Sequence, residues 1–134
     1  MTPDGLIVVK SVLGTEETLL RLRSEIQSKG LTVFAEIDHA AGAAAARMEL
    51  RPTTVVIFGN AKGGTPLMQL AQTIGIDLPL KMLVWRDASG QTWLGYNDPS
   101  WLAKRHEVGD KTEQIIVALR TLLDALAKRA ACAN

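Results

Sequence analysis

The chain has 134 residues, with 15 Lys and Arg against 14 Asp and Glu and a formal net charge of +1. It therefore fits one domain spanning residues 1–134, and it carries no basic field of the kind that draws nucleic acid or an anionic membrane surface. The single cysteine, Cys132, can close no internal disulfide and supplies no zinc framework, which fits a reducing cytoplasm.

MTPDGLIVVK lacks the basic start and long apolar stretch of a signal peptide, and no apolar run approaches the ~20 residues needed to cross a bilayer. A cytoplasmic protein without membrane or nucleic-acid partners is expected. LIVVKSVL, residues 6–13, is β-branched and apolar and reads as a strand ending at Gly14. In TEETLLRLRSEIQSKG, Leu19, Leu22 and Ile26 share one helical face, Thr15 is placed to cap the start, and Gly30 ends the helix. LTVFAEID, residues 31–38, alternates as a half-buried strand does, and HAAGAAAARMEL reads as a short helix with small side chains.

After Pro52, TTVVIFG is a nearly continuous apolar strand, which suggests a central place in a sheet. It runs into the glycine-rich loop of VVIFGNAKGGTPLMQ. A phosphate-binding loop sets its lysine directly before the hydroxyl residue. Here Gly63 and Gly64 separate Lys62 from Thr65, so that geometry is absent. Thr65 instead reads as a helix cap with Pro66 at the first helical position, the helix running to about Ile74. LKMLVWRD and QTWLGYND, joined by Asp87-Ala88-Ser89-Gly90, predict an antiparallel hairpin. DPSWLAKRH predicts a short helix. Asp110 and Glu113 resemble a capping box before a last helix with an apolar stripe of Ile115, Leu119, Leu122 and Leu126, and residues after about Lys128 are expected to fray.

The predicted order, β-α-β-β-β-β-α with extra short helices, implies an α+β fold with a largely antiparallel sheet and helices packed on one face. The stretches DHAAGAAAA, LRPTTVVIFGNAKGGTPLMQ and IDLPLKMLVWRDASGQTWLGYNDPSWLAKRH, in that succession, resemble the bacterial family known as domain of unknown function 302. The resemblance covers most of residues 5–128. It implies a compact α+β domain with a topology like that of the TATA-binding protein, and a homodimer, but no DNA binding and no established reaction. Ala61 departs from the proline that the family usually has after Phe-Gly-Asn.

Two sets of residues carry the functional expectations. Asn60, Lys62, Gly63, Gly64 and Thr65 in the loop, with Tyr96, Asn97 and Asp98 at the end of the hairpin, lie at strand ends where binding chemistry collects on a rigid scaffold. Glycine amides and a helix start favour a polar or anionic small ligand there. His39, at a strand-to-helix junction, and Lys62 are the alternative, an enzyme using acid/base or electrostatic catalysis. A third reading is a protein-interaction module. His106 reads as an ordinary cation at a helix end. No set of metal ligands is visible, Met68, conceivable with His39 as a haem ligand, reads rather as core filler, and no cofactor is expected.

Overall fold

The computed structural model describes residues 2–132. Five strands form one sheet in the order β1-β5-β4-β3-β2, with every neighbouring pair antiparallel. These are β1 (Leu6–Ser11), β2 (Thr32–Asp38), β3 (Thr53–Gly59), β4 (Leu80–Arg86) and β5 (Thr92–Asn97). The helices are α1 (Thr15–Ser28), α2 (His39–Ala45), α3 (Ala61–Leu70), α4 (Pro99–Arg105) and α5 (Glu113–Ala131), with 3-10 turns at Gln72–Ile76 and Asp110–Thr112. This is the expected α+β order.

Alternation along the strands decides the packing. Val56 and Phe58 of β3, Met82 and Val84 of β4, and Leu94 and Tyr96 of β5 point to one face. There they meet Leu22 and Ile26 of α1 and Leu123 and Leu126 of α5, forming the main core. Leu22, Ile26, Phe58, Met82 and Leu126 have no exposed area, and burying each such side chain is worth about 1.5–3 kcal/mol. The start of α1 is anchored to β1 by a buried bond between the Ser11 and Thr18 hydroxyls at 2.8 Å. A second apolar cluster, Leu67, Ile74, Leu102, Val108 and Ile116, joins α3, the first 3-10 turn, α4 and the N-terminal half of α5.

The opposite face of the sheet is also apolar. The register places Ile37, Val55, Leu83, Gly95 and Val8 in one row and Trp85 beside Trp93 in the next. A Cβ added to Gly95 would lie 3.0 Å from Cζ3 of Trp85, so the indole occupies the space that a side chain would need.

Several local expectations are corrected. Thr65 is not the cap of α3; Asn60 is, with its side chain accepting from the Gly63 amide at 2.8 Å. Gly63, Gly64 and Pro66 therefore lie inside the helix. Asn60 is extended (φ −155°, ψ 159°) and its side chain reaches three residues ahead, which is the geometry that satisfies an orphan amide. α3 ends at Leu70, and a 3-10 turn follows after an extended Ala71. Thr15 is already helical, with Gly14 as an N-cap that makes no side-chain bond. Gly109, at φ 77°, starts a 3-10 turn at Asp110 that runs directly into α5, so no side-chain capping box forms. α2 stops at Ala45, where Arg47 takes a positive φ of 62°. The end of α5 does not fray at Lys128: Ala130 and Ala131 are buried, and the Ala131 carbonyl accepts from the Val12 amide at 3.0 Å.

Candidate functional site

The two apolar clusters meet imperfectly. Between them lies a cavity of about 450 Å³, bounded by Leu31, Phe34 and Leu80 at the sheet end, by Leu67 and Met68 of α3, and by Leu119 and Leu122 of α5. Gly59, Asn60, Ala61, Gly63, Gly64 and Thr65 form the wall at the start of α3, and Gly75, Leu78 and Pro79 close the far side. The volume is within the ~300–1,000 Å³ of small-molecule sites, which are mostly apolar with a few placed polar groups. Two of the glycines in the wall lie against the side chains that line it. Gly64 faces Leu78 and Met68, and Gly75 faces the Met68 sulfur.

The polar end of the cavity is the first turn of α3. Asn60 uses its side-chain oxygen on the Gly63 amide and its backbone carbonyl on the Gly63 and Gly64 amides, both at 3.3 Å. The Ala61 and Lys62 amides keep no bond among the described residues, and the partial positive charge of a helix start gathers there. Pro66 has no amide, which also frees the Lys62 carbonyl.

The predicted site residues divide. Asn60, Gly63, Gly64 and Thr65 line the cavity; Lys62 is exposed on the same turn and does not line it. Tyr96 lines a different hollow of about 380 Å³ with Ile7, Val117, Arg120, Thr121 and Asp124. Burial first, then Asp124 and Asp98, push the Tyr96 hydroxyl above its ordinary pKa. Asn97 ends β5 opposite Leu6, and Asp98 caps α4 through the Ser100 amide. His39 is the exposed first residue of α2 and lines none of the three described hollows. The third hollow, about 420 Å³, holds the bidentate Arg23–Glu36 pair, with bonds of 2.6 and 2.7 Å.

His106 has a part that its place at a helix end did not suggest. Its ring bridges Thr73 Oγ1 at 2.9 Å and Asp77 Oδ2 at 2.5 Å, and Arg105 holds both oxygens of Asp77. The residues lie 33 and 29 positions apart in the chain, so no local spacing could have announced them. Among the described residues, no group of three or more His, Cys, Asp or Glu is placed to hold a metal ion.

An antiparallel sheet covered by two helices, with a cavity at one end, defines a small α+β domain. The chain belongs to the family Domain of unknown function DUF302, which it matches over residues 7–126. It is similar over 96% of its length, at TM-score 0.85 and 19% identity, to 99% of the chain in the crystal structure of an uncharacterized conserved protein DUF302 from Bacillus stearothermophilus. That likeness concerns the fold alone. The chain is also 45% identical over 128 residues to the fluoride-specific ion channel FluC 1 of Brucella suis biovar 1 (strain 1330), covering 96% of this chain and 50% of that protein. The protein of the same name from Brucella abortus biovar 1 (strain 9-941) matches at 45%, with 96% and 47% covered. This chain thus spans about half the length of these relatives. No helix among its described residues is long and apolar enough to cross a membrane.

Proposed function

We propose that this domain is a cytoplasmic, homodimeric binding protein for a small molecule with an apolar body and a polar or anionic head. The observation that carries the reading is the cavity, whose walls are apolar except at the start of α3. The body of the ligand lies among Leu31, Leu67, Met68, Leu80 and Leu122. Its head meets the Ala61 amide and the Asn60 and Thr65 side chains, with Lys62 adding a positive charge from the exposed side of the same helical turn. A second copy is the natural cover for the free face of the sheet, where Trp85 and Trp93 stand as aromatic anchors of the type enriched in interfaces. The enzyme reading built on His39 and Lys62 lacks such support, because both side chains are exposed and neither lines the cavity.

A thermal-shift screen of carboxylates and phosphorylated metabolites with graded apolar chains tests this. Longer apolar bodies should raise the melting temperature more. Lys62→Ala should leave the ligand-free protein within about 0.5 kcal/mol of wild type while weakening the anionic ligands. Indifference to chain length, or full affinity in Lys62→Ala together with Asn60→Ala, would remove the reading. Sedimentation at micromolar concentration should give a dimer that Trp93→Glu dissociates.

The relatives named as channels support a second reading, in which fluoride is the anion sensed at the start of α3. Calorimetric titration with sodium fluoride should then release heat that sodium chloride does not; equal traces remove it.

A further inference from the structure

The network around His106 lies outside the cavity reading and has the order of a nucleophile, a base and an orienting carboxylate. A carboxylate only accepts, so His106 Nε2, 2.5 Å from Asp77 Oδ2, carries the ring proton. In the neutral ring Nδ1 is then an acceptor, and the Thr73 hydroxyl donates to it across 2.9 Å. Asp77 is itself fixed by Arg105 Nη1, at 3.0 and 2.9 Å from its two oxygens. The His106 side chain is 6% exposed and that of Asp77 13%, whereas Thr73 is exposed. The base is thus held beneath an exposed threonine. A 3-10 turn repeats every three residues, so Ile76, 71% exposed, shares the face of Thr73 within Gln72–Ile76.

We propose that Thr73 is an acyl-accepting nucleophile, with His106 as its general base and Asp77 as the positioning residue, acting on activated esters of small apolar acids. Reach between nucleophile and base, with the base oriented by a third group, is the arrangement that activates a hydroxyl. Thr73 Oγ1 forms a bond to the acyl carbon as its proton passes to His106 Nδ1. The adduct collapses by breaking the bond from the acyl carbon to the leaving oxygen, which departs with that proton. A water then loses a proton to Nδ1 and attacks the acyl carbon, releasing the carboxylic acid and returning the proton to Thr73 Oγ1. One ester and one water give one acid and one alcohol, and Ile76 on the face of Thr73 receives the acyl group.

The test uses p-nitrophenyl acetate, following nitrophenolate release together with peptide mass spectrometry. Wild type should carry an acetyl group on Thr73, and Thr73→Ser should keep the reaction. Thr73→Val should lose it with its circular dichroism unchanged. His106→Gln should slow it about 10²–10⁴-fold, the usual contribution of a general base. Asp77→Asn should displace the midpoint of the pH profile, which a merely structural bond would leave in place. Acetyl groups confined to lysines, or an unchanged rate in Thr73→Val, overturn the proposal. Neither outcome bears on the cavity, whose ligands are read separately by thermal shift.

Discussion

Gly64 is the position where stability and binding should part. It is the fourth residue of α3, with helical backbone, and it lines the cavity. A Cβ there would stand 3.5 Å from Cδ1 of Leu78 and 3.7 Å from Cε of Met68, ordinary contact without overlap. Replacing a glycine inside a helix by alanine gains about 0.5–1 kcal/mol, because the unfolded chain loses freedom it would otherwise give up on folding. New contacts of about 0.1–0.2 kcal/mol each add a little. Gly64→Ala should therefore raise the melting temperature by about 2–6 °C for a domain of this size. Gly64→Leu carries its side chain into the cavity, costs no more than about 1–3 kcal/mol through overpacking, and competes with any occupant. Calorimetry for the first and titration with an anionic apolar dye such as anilinonaphthalene sulfonate for the second are the assays. Binding of the dye should fall at least tenfold in Gly64→Leu. A destabilised Gly64→Ala, or dye affinity unchanged in Gly64→Leu, would refute the placement of this glycine at the wall.

Gly95→Ala should have the opposite sign to Gly64→Ala, since its Cβ would lie 3.0 Å from the Trp85 ring; overpacking of about 1–3 kcal/mol is expected, with a changed tryptophan spectrum by near-ultraviolet circular dichroism. Asn60→Ala removes the cap of α3 and should cost about 0.5–2 kcal/mol in urea denaturation, whereas Thr65→Ala should cost little, the reverse of what a cap at Thr65 would give. Bonds from Trp93, Ser89 and the Gln91 amide lower the Asp87 carboxyl from 3.8 to about 2. The stability it lends is therefore complete above its unfolded pKa and is lost as pH falls toward 2, and Trp93→Phe should raise its midpoint in a carboxyl-carbon NMR titration.

The order of strands and helices was legible because alternation and helical spacing agree with the turn residues in nearly every segment. TTVVIFG reads as central, and β3 does lie between β4 and β2 with its Val56 and Phe58 fully buried. The start of α3 departs from the sequence pattern for a physical reason. A glycine pair suggests a loop, and Thr-Pro suggests a cap, but an Asn three residues before Gly63 satisfies the amide that decides where the helix begins. The glycine-rich stretch pointed to one wall of the cavity, Asn60, Gly63, Gly64 and Thr65, but the apolar remainder had no local signature, since it comes from β2, α3, β4 and α5 and depends on how two clusters fail to meet. The Thr73–His106–Asp77 bonds were equally invisible, being made between segments that only the tertiary fold brings together.

Native mass spectrometry of the protein purified from its host tests the central claim most directly. Wild type should retain a small molecule with an apolar body and a polar head, and Gly64→Leu, still folded, should have lost it. Wild type carrying no such molecule, and failing to take up any apolar carboxylate or phosphate added afterwards, would contradict the claim.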